Sequence, residues 1–402
     1  MDSLATLDPS VPQRFADGTA DAVFTRLRRE APVHYCPASA FGPFWSISRY
    51  EDIAAIEGQP MLFSSEARHG GVSIIAINPA EATYFESFIM MDPPRHTGKR
   101  RVIAPAFTPS EMARLGQSIR ERTAIRLDSL PVGKAFDWVS YVSIDLTIDM
   151  LAILFDFPWE ERHKLRVWSD AITSLEMMKN RPEERAANLF EMASRFHELW
   201  QERSKGEPGP DLLSMMVHAT DFGEMGAAEF MGNMATLVVG GNDTTRNSMS
   251  AFAWGLHQFA DERAKLEADP SLIPNAVQEL IRWQTPLAHM RRTVMEDTEI
   301  EGARMKKGDK VVLWYISANR DESVFQDADR VIVDRDNARR HLSFGYGIHR
   351  CVGARVAELQ LTTLLEEMAK RRLRANVIEE PERVATCFVH GYKKVMVELS
   401  HY

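Results

Sequence analysis

The sequence predicts a mainly helical protein with a smaller β-rich part. Helical apolar periodicity over residues 109–220 and 227–259 carries the first half of that prediction. After residue 286 the pattern changes to short β-branched and aromatic runs between glycines, which predicts strands. The sequence contains no repeat and no Pro/Ser-rich linker, so we expect a single domain over residues 1–402.

The β-rich portion is predicted mainly at residues 40–66, 286–318 and 385–400, and the helical portion at residues 92–285 and 354–372. A strand is expected at Phe44–Ile47, followed by a helix at Tyr50–Glu57. Ser48 lies three residues before Glu51, a spacing that predicts a capping box for this helix. Residues 67–91 lose periodicity but stay apolar, which favours a substrate-facing segment.

Composition excludes several classes of protein. The net charge of −9 argues against general nucleic-acid binding. Three scattered cysteines without a Cys-x-x-Cys pair argue against a disulfide framework and a structural zinc site, and fit a reducing compartment. With no signal-peptide pattern and no apolar run of bilayer length, we expect a cytoplasmic protein with no membrane span.

One glycine-rich segment, residues 342–353, presents a single cysteine just before a strongly helical run that begins at Ala354. Glycine lets a backbone turn tightly and approach a flat, bulky group, because it has no Cβ. His349, Arg350 and the N-terminus of the next helix are expected to favour the thiolate of Cys351. The segment suits a metal ligand or a nucleophile; the alternative is a buried free cysteine in a glycine-rich turn.

A basic helix is predicted to begin near Pro93, because proline suits a first helical turn. His96 and Arg100 are four residues apart and therefore share one face of it. Two cations stacked in this way can bind an anionic group such as a carboxylate. The alternative is a solvated basic face.

The centre of the long helix over residues 227–259 holds poor helix formers, namely Gly240, Gly241, Asp243, Thr244 and Thr245. Paired glycines are predicted to open or kink the helix, and threonine can bond to the carbonyl one turn earlier. Local rules that are broken within a consistent element tend to mark function. The alternative is a close helix crossing that requires glycine, with Asp243 exposed.

Glu279 and Arg282 are three residues apart in a further predicted helix, residues 275–283. They can form an ion pair within that helix. If buried, such a pair serves orientation or specificity more than net stability. Alone, the spacing is a weak signal of function.

Together these pieces resemble the cytochrome P450 family over essentially the whole chain. Four motifs occur in the family's order and spacing: His96-x-x-x-Arg100, residues 240–244, Glu279-x-x-Arg282 and the highly specific segment 344–353. The resemblance implies the cytochrome P450 fold, with the long central helix over a haem and the thiolate loop beneath it. It also implies haem b, iron protoporphyrin IX, as the cofactor.

The resemblance implies a role for each motif. Cys351 would be the axial thiolate ligand of the haem iron, as is typical of the family. Asp243 and Thr244 would be the catalytic residues that deliver protons during O₂ activation. A buried structural triad would comprise Glu279, Arg282 and Arg335. The remaining cofactor-binding residues would be His96, Arg100, Arg292, Phe344, Gly345, His349 and Gly353.

Within the family, residues 240–248, 283–293 and 308–315 are similar to bacterial soluble hydroxylases that attack the terminal carbon of medium-chain alkanes and fatty acids. The resemblance implies a haem-thiolate monooxygenase that inserts one atom of O₂ into an unactivated C–H bond of an apolar substrate. The alternative is the same chemistry on a terpenoid or steroid. Candidate pocket residues are Phe85, Phe88, Ile89, Leu237, Val238, Gly240, Gly241, Leu287, Met290 and Phe388.

The electrons are expected from another protein, because the sequence has no Gly-x-Gly-x-x-Gly nucleotide loop and no cysteine cluster. The resemblance implies a [2Fe–2S] ferredoxin with a separate reductase. A local cationic surface would steer this acidic partner, assembled from Arg95, Lys99, Arg101, Arg339, Arg340, Arg350 and Arg355.

Two other interpretations keep the haem. The first is a peroxide-driven peroxygenase, which can do without Asp243 and Thr244. The second is a haem protein that senses or carries gas.

Overall fold

The computed structural model describes residues 3–75, 85–223 and 225–402. Helices predominate in this part of the chain, as predicted. Their bounds are α1 Pro12–Ala16, α2 Ala20–Glu30, α3 Tyr50–Glu57, α4 Arg95–Ile103, α5 Pro109–Asp128, α6 Ile144–Phe155, α7 His163–Thr173, α8 Leu175–Asn180, α9 Pro182–Arg203, α10 Leu212–Val217, α11 Thr220–Gly223, α12 Ala227–Gln258, α13 Ala260–Ala268, α14 Ile273–Gln284, α15 Tyr315–Ala318 and α16 Ala354–Lys370.

Short strands form the smaller β-rich part. Their bounds are β1 Val33–Cys36, β2 Phe44–Ile47, β3 Phe63–Ser64, β4 Ala135–Asp137, β5 Met290–Val294, β6 Thr298–Ile300, β7 Ala303–Met305, β8 Lys310–Leu313, β9 Leu373–Val377, β10 Glu382–Arg383, β11 Tyr392–Lys394 and β12 Met396–His401.

The largest sheet has the strand order β1-β2-β8-β5-β3. Strands β2 and β8 run parallel, and the other neighbours in this sheet run antiparallel. In the β5–β8 pair, Arg292 lies opposite Val311, so the register of this sheet fixes the position of a predicted haem-binding residue. Strands β4, β12 and β9 form a second sheet, and β6–β7 and β10–β11 are two-stranded.

The long helix α12 connects the two largest apolar clusters of the core. Met234 and Val238, in its first half, pack into a cluster with α5, α6, α7 and α9. Phe252 and Trp254, in its second half, pack into a cluster with α14, α16 and β9. Because both halves of α12 pack into the core, the unusual residues at its centre are held in a rigid frame.

Several local predictions differ from the structure. The capping box at α3 is wrong: the Tyr50 amide donates to Asp321 Oδ2 at 2.9 Å, and Ser48 Oγ donates to the Pro32 carbonyl. Within the predicted β-rich portion 286–318, strand β8 ends at Leu313 and Tyr315 begins the short helix α15. Strand β4 was missed because it has three residues, too few for periodicity, and its partner β12 comes from the end of the chain.

Within the described ranges, no helix combines the length and the apolar character needed to cross a lipid bilayer.

Candidate functional site

The glycine-rich segment before α16 folds back on itself and brings its two ends together. The Cys351 amide donates to the Phe344 carbonyl at 2.7 Å. Gly345 and Gly347 have φ of +68° and +64°, a region that side chains with a Cβ rarely adopt. A Cβ on Gly353 would lie 4.0 Å from Cys351 Sγ. The glycines thus shape a cradle in which the sulfur is presented beside the start of α16.

The electrostatic surroundings of Cys351 correct one prediction. The side chain is accessible to solvent, yet the surrounding protein desolvates it enough to raise the pKa of the thiol. The Gly353 amide, Arg100 and Arg350 lower this pKa, as predicted, but they do not outweigh desolvation. The protein alone therefore does not favour the thiolate. A metal ion bonded to the sulfur would supply the missing positive charge.

Two histidine side chains form a buried group next to this loop. The rings of His96, on α4, and His349, in the loop, have centroids 4.2 Å apart. Both nitrogens of each ring are buried without a hydrogen-bond partner in the described part of the chain. Burial, together with the positive charges of Arg100 and Arg292, lowers the pKa of His96 to about 4 and that of His349 to about 2.

The ring nitrogens without hydrogen-bond partners are an observation on which the fit of a haem can be judged. Buried polar nitrogens without partners are costly, whereas an anion that accepts hydrogen bonds would satisfy them. The guanidinium groups of Arg100 and Arg292 add positive charge at the same place. Two imidazoles, two guanidinium groups and a sulfur in a glycine cradle therefore fit a flat iron porphyrin with propionate groups.

The two arginines also have partners within the protein. Arg100 donates to the Arg350 carbonyl in the loop, so the His96–Arg100 face of α4 packs on the loop and is not simply solvated. Arg292 Nη2 donates to Glu57 Oε1 at 2.7 Å, and Nη1 donates to the Arg291 carbonyl at 2.7 Å. No sequence signal marked Glu57, because its partner lies 235 residues further along the chain.

The centre of α12 is continuous helix, so the predicted opening at the paired glycines is wrong. Thr244 Oγ1 donates to the Gly240 carbonyl one turn earlier at 3.1 Å. A Cβ on Gly241 would lie 2.5 Å from Leu151 Cδ2 of α6, which is the close helix crossing that the alternative interpretation required. A Cβ on Gly240 would meet nothing within 4 Å. The two glycines therefore face different surroundings, and Gly240 borders open space.

Asp243 is buried, contrary to the exposure that the same alternative assumed. Its side chain is 1% exposed, and Oδ1 lies 2.9 Å from Arg246 Nη2 in an ion pair and accepts from Ser169 Oγ at 3.2 Å. Arg246 in turn pairs with Asp170, on α7, at 3.1 Å. Desolvation raises the pKa of Asp243, and Arg246 opposes this effect. The spacing of three residues between Asp243 and Arg246 was the signal that could have revealed this pair.

Glu279 and Arg282 of α14 lie in contact with Arg335, so the structure brings the three predicted residues together. Arg282 Nε and Nη2 donate to the two Glu279 oxygens at 2.7 and 2.8 Å, and Arg335 Nε lies 3.0 Å from both. Arg282 also donates to the carbonyls of Asn319 and Ala328. The buried group therefore ties α14 to the long loop that precedes the glycine-rich segment.

The predicted pocket residues are divided among several apolar clusters. Phe88, Val238 and Leu237 are buried, and the partly buried Phe85 and Ile89 pack against the same cluster. Phe88 and Val238 are so fully packed that they act as core. The partly buried Leu287 and Met290 pack against another cluster, beside the main sheet, while the ring of Phe388 lies 5.3 Å from that of His289. Residues 76–84 of the predicted substrate-facing segment lie outside the described residues.

Two members of the predicted cationic surface form ion pairs with neighbouring glutamates. Arg95 pairs with Glu86 at 2.8 Å, and both Arg95 and the buried Lys99 pair with Glu229 of α12. Lys99 also donates to the Asp221 carbonyl. The remaining members, which are exposed, are Arg101, Arg339, Arg340, Arg350 and Arg355.

Comparison with known proteins agrees with this geometry. The family model for Cytochrome P450 matches residues 268–372. The solved structure of CYP153D17 from Sphingomonas sp. PAMC 26605 superposes with a TM-score of 0.93 at 58% identity, covering 98% of this chain and 99% of that one.

Two relatives carry functional names. Linalool 8-monooxygenase from Pseudomonas putida is 38% identical over 96% of this chain and 97% of that protein. Methyl-branched lipid omega-hydroxylase from Mycobacterium tuberculosis is 31% identical over 96% of this chain and 92% of that protein. On these matches, this chain belongs to the cytochrome P450 family and is a monooxygenase that carries haem b.

Proposed function

We propose that this monooxygenase hydroxylates the terminal carbon of medium-chain alkanes or fatty acids, with electrons from a ferredoxin. The observation that carries the proposal is the centre of α12, where the partly exposed Thr244 and the buried Asp243 interrupt an apolar stretch beside Gly240. The similarity to a methyl-branched lipid omega-hydroxylase supports terminal attack on an apolar chain.

A thiolate-ligated haem iron supplies the chemistry of the net reaction, R–H + O₂ + 2e⁻ + 2H⁺ → R–OH + H₂O. Cys351 would hold the iron through its sulfur, and His96, His349, Arg100 and Arg292 would bind the propionates. The glycine cradle, with Gly345 at its bend, Phe344 at its start and Gly353 at its end, would lie against the porphyrin face.

Two residues of α12 would take part in proton transfer. Thr244 Oγ1 donates its proton to the Gly240 carbonyl on the open side of α12, so its lone pairs would be free to accept a hydrogen bond there. Asp243 Oδ2 is buried, and the carboxyl group, which Thr173 of α7 also approaches, would carry a proton between solvent and Thr244. Arg246 and Ser169 would orient the carboxyl group through its other oxygen.

The exposed Arg339, Arg340, Arg350 and Arg355 would form the docking surface for a [2Fe–2S] ferredoxin. Arg350 and Arg355 flank Cys351 in the chain, so an acidic partner bound there would approach the thiolate side. On a protein of net charge −9, such a local cationic surface favours one orientation of an acidic partner.

The test is a substrate series. Purified ferric protein is titrated with medium-chain alkanes, fatty acids, linalool and a steroid, and the spin-state change of the haem spectrum is recorded. Bound compounds are then turned over with a ferredoxin and its reductase, and the products are identified by mass spectrometry. We expect alkanes or fatty acids to bind and to yield terminal alcohols.

A second candidate substrate class is a terpenoid, because linalool 8-monooxygenase is 38% identical to this chain. A spin-state change with terpenes alone would favour this candidate and contradict the alkane proposal. Turnover with hydrogen peroxide but not with ferredoxin would identify a peroxygenase.

A further inference from the structure

The buried carboxylate of Glu57, at the end of α3, joins three elements around the proposed haem-binding residues. Its side chain is 1% exposed. Oε1 accepts from Arg292 Nη2 at 2.7 Å and from Tyr315 Oη at 2.6 Å, and Oε2 accepts from the Tyr346 amide at 2.7 Å. A buried carboxylate with three donors, one of them charged, is held in a single orientation.

Glu57 also packs against the backbone of the glycine-rich loop. A Cβ on Gly347 would lie 2.5 Å from the Glu57 carbonyl oxygen, and a Cβ on Gly345 would lie 3.8 Å from Glu57 Oε2. Because these two glycines form the bend of the loop, the end of α3 supports the bend directly. One residue thus contacts both the cysteine loop and Arg292.

The charge of Glu57 acts where the haem-binding cations meet. Arg292 is close enough to His96 and His349 to lower the pKa of both. Burial raises the pKa of Glu57, while Arg292, Tyr315 and the Tyr346 amide lower it; in its ionised form the carboxylate, in direct contact with Arg292, offsets this guanidinium charge. A charge near a buried metal cofactor shifts its reduction potential, because reduction adds an electron to the same low-dielectric region.

We infer that Glu57 is a positioning residue for the haem, which holds the Arg292 guanidinium toward the propionates and balances its charge, thereby setting the reduction potential. The inference rests on the proposed role of Arg292 at a haem propionate. It predicts that the negative charge of Glu57 keeps the potential lower than the isosteric amide would.

The test measures the midpoint potential of the haem and the rate of haem transfer to apomyoglobin in Glu57→Gln holoenzyme. We expect a more positive potential and haem transfer that is roughly tenfold faster, as suits the loss of a charged hydrogen bond. Glu51→Gln, an exposed position on the same helix, is the matched control and should match the wild type in both. An unchanged or more negative potential in Glu57→Gln would overturn the inference.

Arg292→Gln and the double variant separate the inference from the proposed function. If Glu57 acts through Arg292, its substitution should shift the potential much less in the Arg292→Gln background, and an equal shift there contradicts the inference. Wild-type haem transfer in Arg292→Gln alone would instead refute the propionate role of Arg292. If Glu57→Gln does not fold, Glu57→Asp is measured in its place. Faster haem transfer from Glu57→Asp than from the wild type would support the inference, and a wild-type rate would contradict it.

Discussion

Replacing Asp243 with asparagine isolates the proton-delivery role of the centre of α12. The amide keeps the shape of the side chain, so Oδ1 can still lie near Arg246 Nη2, which is 2.9 Å away in the wild type. The ion pair is lost, but Arg246 retains Asp170 at 3.1 Å, so the free energy of unfolding should fall by only about 1–2 kcal/mol. What the variant loses entirely is the proton that the carboxyl group carries.

We therefore expect the turnover number of Asp243→Asn to fall about 100-fold, the loss expected for a positioned proton donor and equal to about 2.7 kcal/mol of barrier. The assay is product formation with saturating ferredoxin, together with the solvent deuterium isotope effect, which should increase. Asp149→Asn is the control, because Asp149 of α6 also pairs with an arginine, Arg162, at 2.8 Å but lies outside α12. Wild-type turnover in Asp243→Asn, with the haem spectrum intact, would refute the reasoning.

Three further predictions concern stability and cofactor retention. Glu279→Gln leaves two buried arginines without their carboxylate and should lower the free energy of unfolding by about 3–5 kcal/mol in urea titration, whereas the exposed Glu299→Gln should change little. Gly347→Ala should impair haem retention in a transfer assay, because its Cβ meets backbone, while Gly302→Ala, with φ +78° and open space, should bear backbone strain alone. Desolvation lowers the pKa of Lys310 from 10.5 to about 8, so the unfolded state binds this proton more tightly than the folded state does. The free energy of unfolding should therefore rise with pH between these two values. Denaturation curves of Lys310→Met, recorded across this pH range, should lack that rise.

The sequence predicted the elements that depend on local signals. Helix α3 and strand β2 have the bounds that periodicity indicated, and α12 ends within one residue of its prediction. Strand β4 was missed because its pairing with β12 is a contact between distant segments. The capping of α3 by Asp321 was not predicted for the same reason, since the acceptor lies 271 residues away.

The candidate site likewise contains parts that the sequence predicted and parts that it did not. The motifs located the cysteine loop and the centre of α12, but the partners of their residues could not be predicted. Asp243 meets Ser169 from α7, and Arg292 meets Glu57 from α3, through contacts that only the folded chain creates. The effect of the paired glycines was also mistaken, because sequence alone does not reveal that Gly241 faces Leu151.

The most direct test of the account is the carbon monoxide spectrum of the reduced protein. Cys351→Ala is compared with Cys387→Ala, which replaces a buried cysteine far from the glycine-rich loop in the sequence. If Cys351 ligates the haem iron, its replacement abolishes the red-shifted carbonyl band that thiolate ligation produces, and Cys387→Ala retains it. A red-shifted band that survives in Cys351→Ala would contradict the central assignment.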